Sequence, residues 1–287
     1  MLPEQFARLG YQQIELRRTA ENHLYLVGRL NGRRRSILVD SGWSFTTVSP
    51  NAARELPTPQ HAGTNEPPSL FIAVLRLGRV SLTNQPARVE RMTFDGEPAS
   101  FEVVLGCDFL RRNHAVVDCL NRRLYVRGHA LPEPEQITLE ELLRGGGFSA
   151  VTLTLKQPLG ITCLARVNGY PVELLVDTGA VWSSLDLRQI EQLGLRALPT
   201  LAKIGGVGTT CARGVAVGEA KSFALGDVPV KDANFAIMNL GDWGLATPGK
   251  KLSEVGGILG GPELVVNGAL IDCHRLKLWV KPADARK

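Results

Sequence analysis

The sequence has few of the residues from which disulfide frameworks and metal sites are built. Only five of its 287 residues are cysteine and five are histidine. An odd number of cysteines, with no Cys-x-x-Cys pair among them, predicts neither a disulfide framework nor a zinc site. The histidines show no metal-ligand spacing either. We therefore predict a protein without a metal ion or another cofactor.

Long apolar runs and a strong charge bias are also absent. No stretch approaches the roughly 20 apolar residues that a membrane-spanning helix needs. The first residues lack the basic segment and apolar run of a secretory signal. The formal net charge is only +5, and the densest basic cluster, residues 33–35, follows a predicted turn without any nucleic-acid-binding motif. We expect a cytoplasmic protein that binds neither membranes nor nucleic acid.

Two aspartates, Asp40 and Asp177, lie in nearly identical sequence contexts. Each follows a run of apolar, partly β-branched residues, and each begins a triplet, Asp-Ser-Gly in one case and Asp-Thr-Gly in the other. The apolar runs predict buried strands, so each carboxylate should lie where a strand breaks into a tight turn. A carboxylate in that position is not expected to be simply solvated.

The similarity between the two parts of the chain extends well beyond these triplets. Asn-Gly pairs at 31–32 and 168–169 lie at the same distance before their aspartates, and such pairs predict hairpin turns. Two apolar-apolar-Gly stretches, 104–106 and 258–260, follow later, and from there the two parts align without a gap. The sequence therefore predicts an internal duplication.

These features together resemble the aspartic proteases, and within them the retropepsin-like branch that includes the retroviral enzymes. Each part carries the order typical of that branch: hairpin, apolar strand, Asp-(Ser/Thr)-Gly, flap region, apolar-apolar-Gly strand, short helix and closing strand. The resemblance covers residues 12–127 and 150–281. The start of the first helix, at 106–110, resembles that of the branch, whereas residues 260–264 depart from it.

The resemblance implies an all-β fold of two retropepsin-like (acid-protease) β-barrel lobes in tandem, with a few short helices. We expect an N-terminal lobe at 1–130, a linker at 131–147 and a C-terminal lobe at 148–287. Within the linker, Thr138 begins a stretch with capping-box spacing, which predicts a short helix through about Leu143. Retroviral enzymes are similar to one such lobe and dimerise, so two fused lobes predict a monomer with pseudo-twofold symmetry.

Hydrolysis of a peptide bond without a metal or a covalent nucleophile needs one group to activate water and another to donate a proton. Two carboxylates that share a proton can do both. The resemblance implies that Asp40 and Asp177 form this catalytic dyad between the lobes. It assigns supporting roles to Ser41, Gly42, Thr178 and Gly179. The two hydroxyls would brace the loops across the interface, and the two glycines would let the backbone approach the carboxylates closely.

The expected substrate is a polypeptide in an extended conformation that pairs with strands and a flap. The residues predicted to contact it are Trp43, Ala180, Gly205 and Gly206. The last two lie in a glycine-rich stretch that suits the tip of a mobile flap, although it could also be an ordinary loop. Residues 58–68 contain three prolines and one glycine, so we expect a single flap. Phe45 and Trp182 could line substrate pockets, but core packing is the expected role of both.

Trp43 leaves a second interpretation open. The family usually has a small residue after the glycine, and the second triplet is indeed followed by Ala180. A large ring could line a substrate pocket or obstruct the catalytic water. The sequence therefore predicts an aspartic endopeptidase, with a catalytically inactive peptide-binding pseudoprotease or an assembly scaffold as alternatives. Residues 239–256 resemble an insertion to which we assign no role.

Overall fold

The computed structural model describes residues 2–56, 69–94, 97–127, 133–156, 160–204, 213–231, 233–243 and 255–283. The elements of the N-terminal half are α1 (Leu2–Arg8), β1 (Gln12–Glu15), β2 (Arg17–Arg18), β3 (Leu24–Leu30), β4 (Arg33–Val39), β5 (Thr47–Val48), α2 (Pro50–Ala53), β6 (Ser69–Leu77), β7 (Val80–Val89), β8 (Thr93–Phe94), β9 (Glu97–Pro98), β10 (Val103–Leu105), α3 (Cys107–Arg112), β11 (Val116–Asp118) and β12 (Arg123–Val126).

The remaining elements are α4 (Glu133–Gly145), β13 (Ser149–Lys156), β14 (Gly160–Val167), β15 (Tyr170–Val176), β16 (Ser184–Asp186), a 3-10 helix (Leu187–Gln189), β17 (Leu198–Ile204), β18 (Arg213–Glu219), β19 (Phe223–Leu225), β20 (Val228–Pro229), β21 (Asn234–Met238), a second 3-10 helix (Leu240–Trp243), β22 (Gly257–Leu259), α5 (Gly261–Val266), β23 (Leu270–Asp272) and β24 (Lys277–Val280). Strands dominate and the helices are short, which confirms the predicted all-β fold class. None of the helices in these described ranges is long and apolar enough to cross a membrane.

Two hairpins form at the Asn-Gly pairs, as predicted. Asn31 and Gly32 have φ angles of 45° and 89° between β3 and β4. Asn168 and Gly169, with φ angles of 51° and 85°, make the same turn between β14 and β15. Two consecutive residues with positive φ match the right-handed twist of the flanking strands, and Asn-Gly adopts that conformation most easily. Each hairpin brings its second strand to the position from which an aspartate projects.

The strands that lead to the aspartates lie inside their sheets. In the N-terminal half the sheet order is β2-β3-β4-β10-β5-β7-β6, and β4 pairs antiparallel with β3 and parallel with β10. In the C-terminal half β15 pairs in the same way with β14 and β22. The aspartate that follows each strand continues the parallel pairing. Asp40 N donates to Leu105 O at 3.1 Å, and Asp177 N donates to Leu259 O at 3.0 Å. Both aspartate backbones are therefore fixed by the sheet.

One sheet runs continuously between the two halves. It begins with the strand order β1-β12-β11-β23-β24-β13 and continues through β14 and β15 into the C-terminal half. Within it β11 pairs antiparallel with β23, with Val117 opposite Ile271. Two further hydrogen bonds extend this pairing, from Cys119 N to Ala269 O at 3.0 Å and from Cys273 N to Ala115 O at 3.1 Å. The side chains of Cys119 and Cys273 are buried here.

The helix α1 was not predicted from the sequence. It has seven residues and buries one apolar side chain, Phe6, which is too little for a helical periodicity to be recognised. The Phe6 ring stacks on Tyr125 with centroids 4.1 Å apart, and it meets the edge of Tyr11 at 5.2 Å. This helix therefore covers the continuous sheet and depends on tertiary contacts.

The linker helix is longer than predicted. α4 begins at Glu133, before the expected start at Thr138, and ends at Gly145. Pro134 is its second residue, a position where the missing backbone N–H costs nothing, so the proline does not exclude a helix. After β16 the chain forms only the short 3-10 helix Leu187–Gln189.

Candidate active site

Asp40 and Asp177 meet between the two halves of the chain, and their side chains share a hydrogen bond. Each carboxylate also lies against the backbone of the opposite loop. A Cβ atom placed on Gly42 would lie 2.3 Å from Asp177 Cγ, and one on Gly179 would lie 2.5 Å from Asp40 Oδ2. Both separations are far below van der Waals contact, so the two aspartates can approach only because both positions are glycine.

The hydroxyl groups of Ser41 and Thr178 tie the two loops together. Thr178 Oγ1 accepts from Ser41 N at 3.1 Å and donates to Val39 O at 2.9 Å. Ser41 Oγ accepts from Thr178 N at 3.1 Å and donates to Val176 O at 2.7 Å. Both side chains are buried, and a buried donor or acceptor left without a partner costs about 1–3 kcal/mol. The reciprocal bonds are those that the resemblance implied.

Each carboxylate also receives a hydrogen bond within its own triplet. Gly42 N donates to Asp40 Oδ1 at 2.8 Å, and Gly179 N donates to Asp177 Oδ1 at 2.7 Å. These bonds fix the orientation of the two carboxyl groups before any substrate binds. Because backbone N–H groups donate to the anion, they favour ionisation and oppose the effect of burial.

The electrostatics of the two aspartates differ. Burial raises the pKa of Asp40 well above its ordinary value, and the neighbouring Asp177 raises it further. Burial also raises the pKa of Asp177, but a hydrogen bond from Asp40, the N–H of Gly179 and the charge of His23 act in the opposite direction. Asp40 is buried and Asp177 is partly exposed. Both carboxyl groups therefore resist ionisation, and the pair retains one proton that the two groups share.

Different residues support the two helices that follow the parallel strands. In the N-terminal half, Asp108 Oδ1 accepts from Thr46 N at 2.7 Å and from Thr46 Oγ1 at 2.8 Å. In the C-terminal half, Ser183 Oγ donates to Glu263 Oε2 at 2.5 Å and accepts from Gly260 N at 2.8 Å. Glu263 was missed in the sequence, where the only signal was the departure of residues 260–264 from the family pattern.

Trp43 is held in the N-terminal half. Its indole Nε1 donates to Thr47 Oγ1 at 2.8 Å, and its ring packs against a small apolar cluster that includes Leu38, Met92 and Val104. The corresponding Ala180 donates from its backbone N to Asp177 O at 3.3 Å, and its carbonyl accepts from Gly261 N at 3.0 Å. Ala180 therefore lies directly beside the aspartate loop.

The expectation of core packing is wrong for Trp182. Its side chain is 42% exposed and lines a cavity of about 320 Å³. The other lining residues are Val217, Asn234, Phe235, Ala236, Pro262 and Glu263. Small and rigid neighbours such as Ala236 and Pro262 leave space that the indole does not fill. Phe45 is half-buried, and the Arg88 guanidinium lies 3.4 Å above its ring.

Of the predicted flap, the structure describes only the two flanking strands, which we call its arms. β17 and β18 pair antiparallel, with Ile204 opposite Arg213. Gly205 and Gly206 lie outside the described residues, as do residues 58–68 of the N-terminal half and most of the proposed insertion at 239–256. Within the parts of the chain that the structure describes, no group of histidine, cysteine, aspartate and glutamate side chains could hold a metal ion.

Comparison with known sequences places the second triplet inside a known family pattern. Residues 164–262, which include Asp177, match the sequence model of the aspartyl protease family. No curated protein sequence gives a significant match.

Comparison with solved structures shows a similar fold. The fold is similar to that of an aspartic proteinase from Irpex lacteus, with a TM-score of 0.55, 12% identity and coverage of 96% of this chain and 98% of that chain. Conglutin gamma, a basic 7S globulin from lupine seeds, matches with a TM-score of 0.47, 12% identity and 94% coverage of each chain. A retropepsin-like aspartic protease from Rickettsia conorii matches with a TM-score of 0.32, 18% identity and coverage of 40% and 89%. The sequence match is confined to residues 164–262, whereas the similarity of fold to the Irpex lacteus enzyme extends over nearly the whole chain.

Proposed function

We propose that this chain is an aspartic endopeptidase in which Asp40 and Asp177 together activate a water molecule. The observation that supports this proposal is the hydrogen bond between two carboxyl groups at the junction of the two halves. Burial of two carboxyl groups in contact disfavours ionisation of both, so the pair holds one proton over a range of pH. A pair in that state contains an acid and a base at the same place.

The asymmetry of the pair suggests the role of each carboxyl group. Asp177, as the carboxylate, removes a proton from water, and the water oxygen attacks the carbonyl carbon of the scissile peptide bond. Asp40, as the acid, donates its proton to the carbonyl oxygen, which gives a tetrahedral diol. The proton now on Asp177 passes to the peptide nitrogen while the carbon–nitrogen bond breaks. Asp40 takes back a proton from the diol, and the original protonation state is restored.

We further propose that the substrate is a polypeptide bound in an extended conformation. The antiparallel arms β17 and β18 extend from the C-terminal half, and extended peptides bind by adding backbone hydrogen bonds to such strands. Gly205, Gly206, Trp43 and Ala180 remain the proposed contacts. Because one chain supplies both aspartates, we propose that a single copy is sufficient for activity.

The test is incubation with a mixed peptide library, with products identified by mass spectrometry. Asp40→Asn and Asp177→Asn should each abolish cleavage, because each removes one member of the proton-sharing pair while keeping the size of the side chain. Full activity in either variant would refute the proposed dyad.

The same library separates the peptidase from the inactive alternative. If peptides bind without being cleaved, the pseudoprotease interpretation is supported. Trp43→Ala then tests its cause, since cleavage gained by this variant would identify the indole as the obstruction.

A further inference from the structure

A short loop from the N-terminal half reaches the aspartate loop of the C-terminal half. This loop connects β2 with β3 and ends at His23. It is closed by hydrogen bonds from Thr19 N to His23 O at 3.0 Å, from Asn22 N to Thr19 O at 3.1 Å and from His23 N to Thr19 Oγ1 at 3.2 Å. The His23 side chain is only 6% exposed. The imidazole is therefore held in a fixed, buried position.

The buried imidazole faces the second aspartate of the pair. It makes a hydrogen bond to the backbone of Gly179, and its charge interacts with that of Asp177. Because this hydrogen bond raises the pKa of the imidazole, the ring N–H donates to the Gly179 carbonyl oxygen. On its other side the ring meets the edge of Phe101, with centroids 6.2 Å apart. His23 thus connects the N-terminal half to the loop that carries Asp177.

A glycine in the C-terminal half makes room for this loop. A Cβ atom on Gly261 would lie 2.0 Å from Asn22 Nδ2, so any larger residue at this position would force the Asn22 side chain to move. The aligned position in the N-terminal half is Cys107. The Arg18 guanidinium donates both to Asn22 Oδ1 and to the Cys119 carbonyl, which anchors the loop further.

The residue of the C-terminal half that corresponds to His23 is a glycine, Gly160. His23 precedes Asp40 by the same number of residues as Gly160 precedes Asp177. Gly160 has a φ of +123°, and a Cβ atom there would lie 3.4 Å from Ser41 O and 3.6 Å from Gly42 O. The same place beside each aspartate loop is therefore filled by an imidazole in one case and by bare backbone in the other.

We propose that His23 is a positioning residue that makes the two members of the dyad unequal, keeping the negative charge on Asp177 and the shared proton on Asp40. This inference rests on the proposed function and assigns the acid and the base within it. The opposite assignment would leave the imidazole beside a neutral carboxyl group and place the charge on the more deeply buried aspartate.

Two acidic groups face the imidazole, Asp177 and Glu21. Burial lowers the pKa of His23, and the charges of Asp177 and Glu21 oppose that effect. Glu21 is exposed, so water screens its charge. Near neutral pH His23 is therefore a neutral donor to Gly179, and at lower pH it gains a proton beside Asp177. That positive charge keeps Asp177 ionised as the solution becomes more acidic.

The first test needs no enzymatic activity. Titration of the histidine resonances by NMR, with His23 identified by its loss in His23→Gln, gives the pKa of this imidazole directly. Asp177→Asn should lower the pKa of His23, because the nearest negative charge is removed, whereas Asp40→Asn should not lower it. Asp227→Asn, at an exposed ion pair with Arg166, is the control. An unchanged pKa in Asp177→Asn, or an equal fall in Asp40→Asn, would overturn the inference.

The second test uses the pH profile of cleavage. His23→Gln keeps an N–H group but cannot become charged, so kcat/KM at pH about 5 should fall by roughly three- to tenfold while remaining within about twofold at pH 7. KM should not change. His23→Phe removes the donor as well and should lose activity at both pH values. An identical loss at every pH would indicate a purely structural role and contradict the proposal.

The two tests fail in different ways. If the NMR titration gives the expected shifts but no peptide is cleaved, the proposed endopeptidase activity is wrong and the charge asymmetry stands. If peptides are cleaved but the pKa of His23 is unchanged in Asp177→Asn, the activity stands and the proposed role of His23 is wrong.

Discussion

Ser41 and Thr178 exchange hydrogen bonds in both directions, because each hydroxyl accepts from the backbone N–H of the other residue at 3.1 Å. The two residues belong to different halves of the chain, so these bonds also set the separation of the aspartates that precede them. Loss of either hydroxyl should affect the stability of the whole protein and the geometry of the candidate site together.

Thr178→Val tests this connection, since it removes the hydroxyl and keeps the shape of the side chain. Ser41 N and Val39 O would lose their partners, and the free energy of unfolding should fall by about 1–3 kcal/mol. Urea unfolding followed by circular dichroism measures the change. Thr178→Ser, which keeps the hydroxyl, is the matched control. Equal stability of the two variants would show that the hydroxyl contributes nothing.

Gly179→Ala should lower the rate of cleavage by about a hundredfold through its effect on the opposite aspartate. The added methyl group would lie 2.5 Å from Asp40 Oδ2, so the carboxyl groups must move apart. A displacement of the reacting groups by about 1 Å costs on the order of a hundredfold in rate. Gly145→Ala, in the linker helix, is the matched control, because its Cβ atom would meet nothing within 4 Å. If kcat is unaffected in Gly179→Ala, the close approach of the two loops is not required for catalysis.

Asp40→Asn should stabilise the folded protein at neutral and alkaline pH. The pKa of Asp40 is raised in the folded state, so its contribution to stability is present at low pH and is lost as the pH rises through that value. An amide cannot ionise and avoids this loss. Thermal unfolding should show a higher Tm for the variant at pH 8 and a difference that disappears towards pH 4. A Tm difference independent of pH would contradict the raised pKa; Asp227→Asn should show no such trend.

The pH optimum of cleavage should lie in the mildly acidic to neutral range, roughly pH 5 to 7, because both aspartates have raised pKa values. Neither Trp43 nor Ala180 offers a hydroxyl to the carboxylates. Ala180→Ser would add one beside Asp177, favour the anion and move the optimum to lower pH. Ala180→Val controls for size. The profile of kcat/KM measures both effects, and an optimum near pH 3 in the unmodified protein would show that other groups control the pair.

Residues with a local signature were predictable from the sequence, and residues defined by packing were not. The Asn-Gly turns and the Asp-(Ser/Thr)-Gly triplets depend on the conformations of a few neighbouring residues, so they can be recognised in the sequence. Glu263 supports the candidate site only because the fold brings Ser183 to it. His23 was missed for the same reason, since a single histidine before a strand has no local pattern. Trp182 lies at a cavity whose walls come from separate elements.

The continuous sheet has a consequence for the order of events during synthesis on the ribosome. β11 pairs with β23, which lies close to the end of the described residues, and contacts between such distant segments form late. A nascent chain that ends before Asp177 holds only one member of the pair. On the proposed function, we expect the chain to gain peptidase activity only after its second half has been synthesised and has folded.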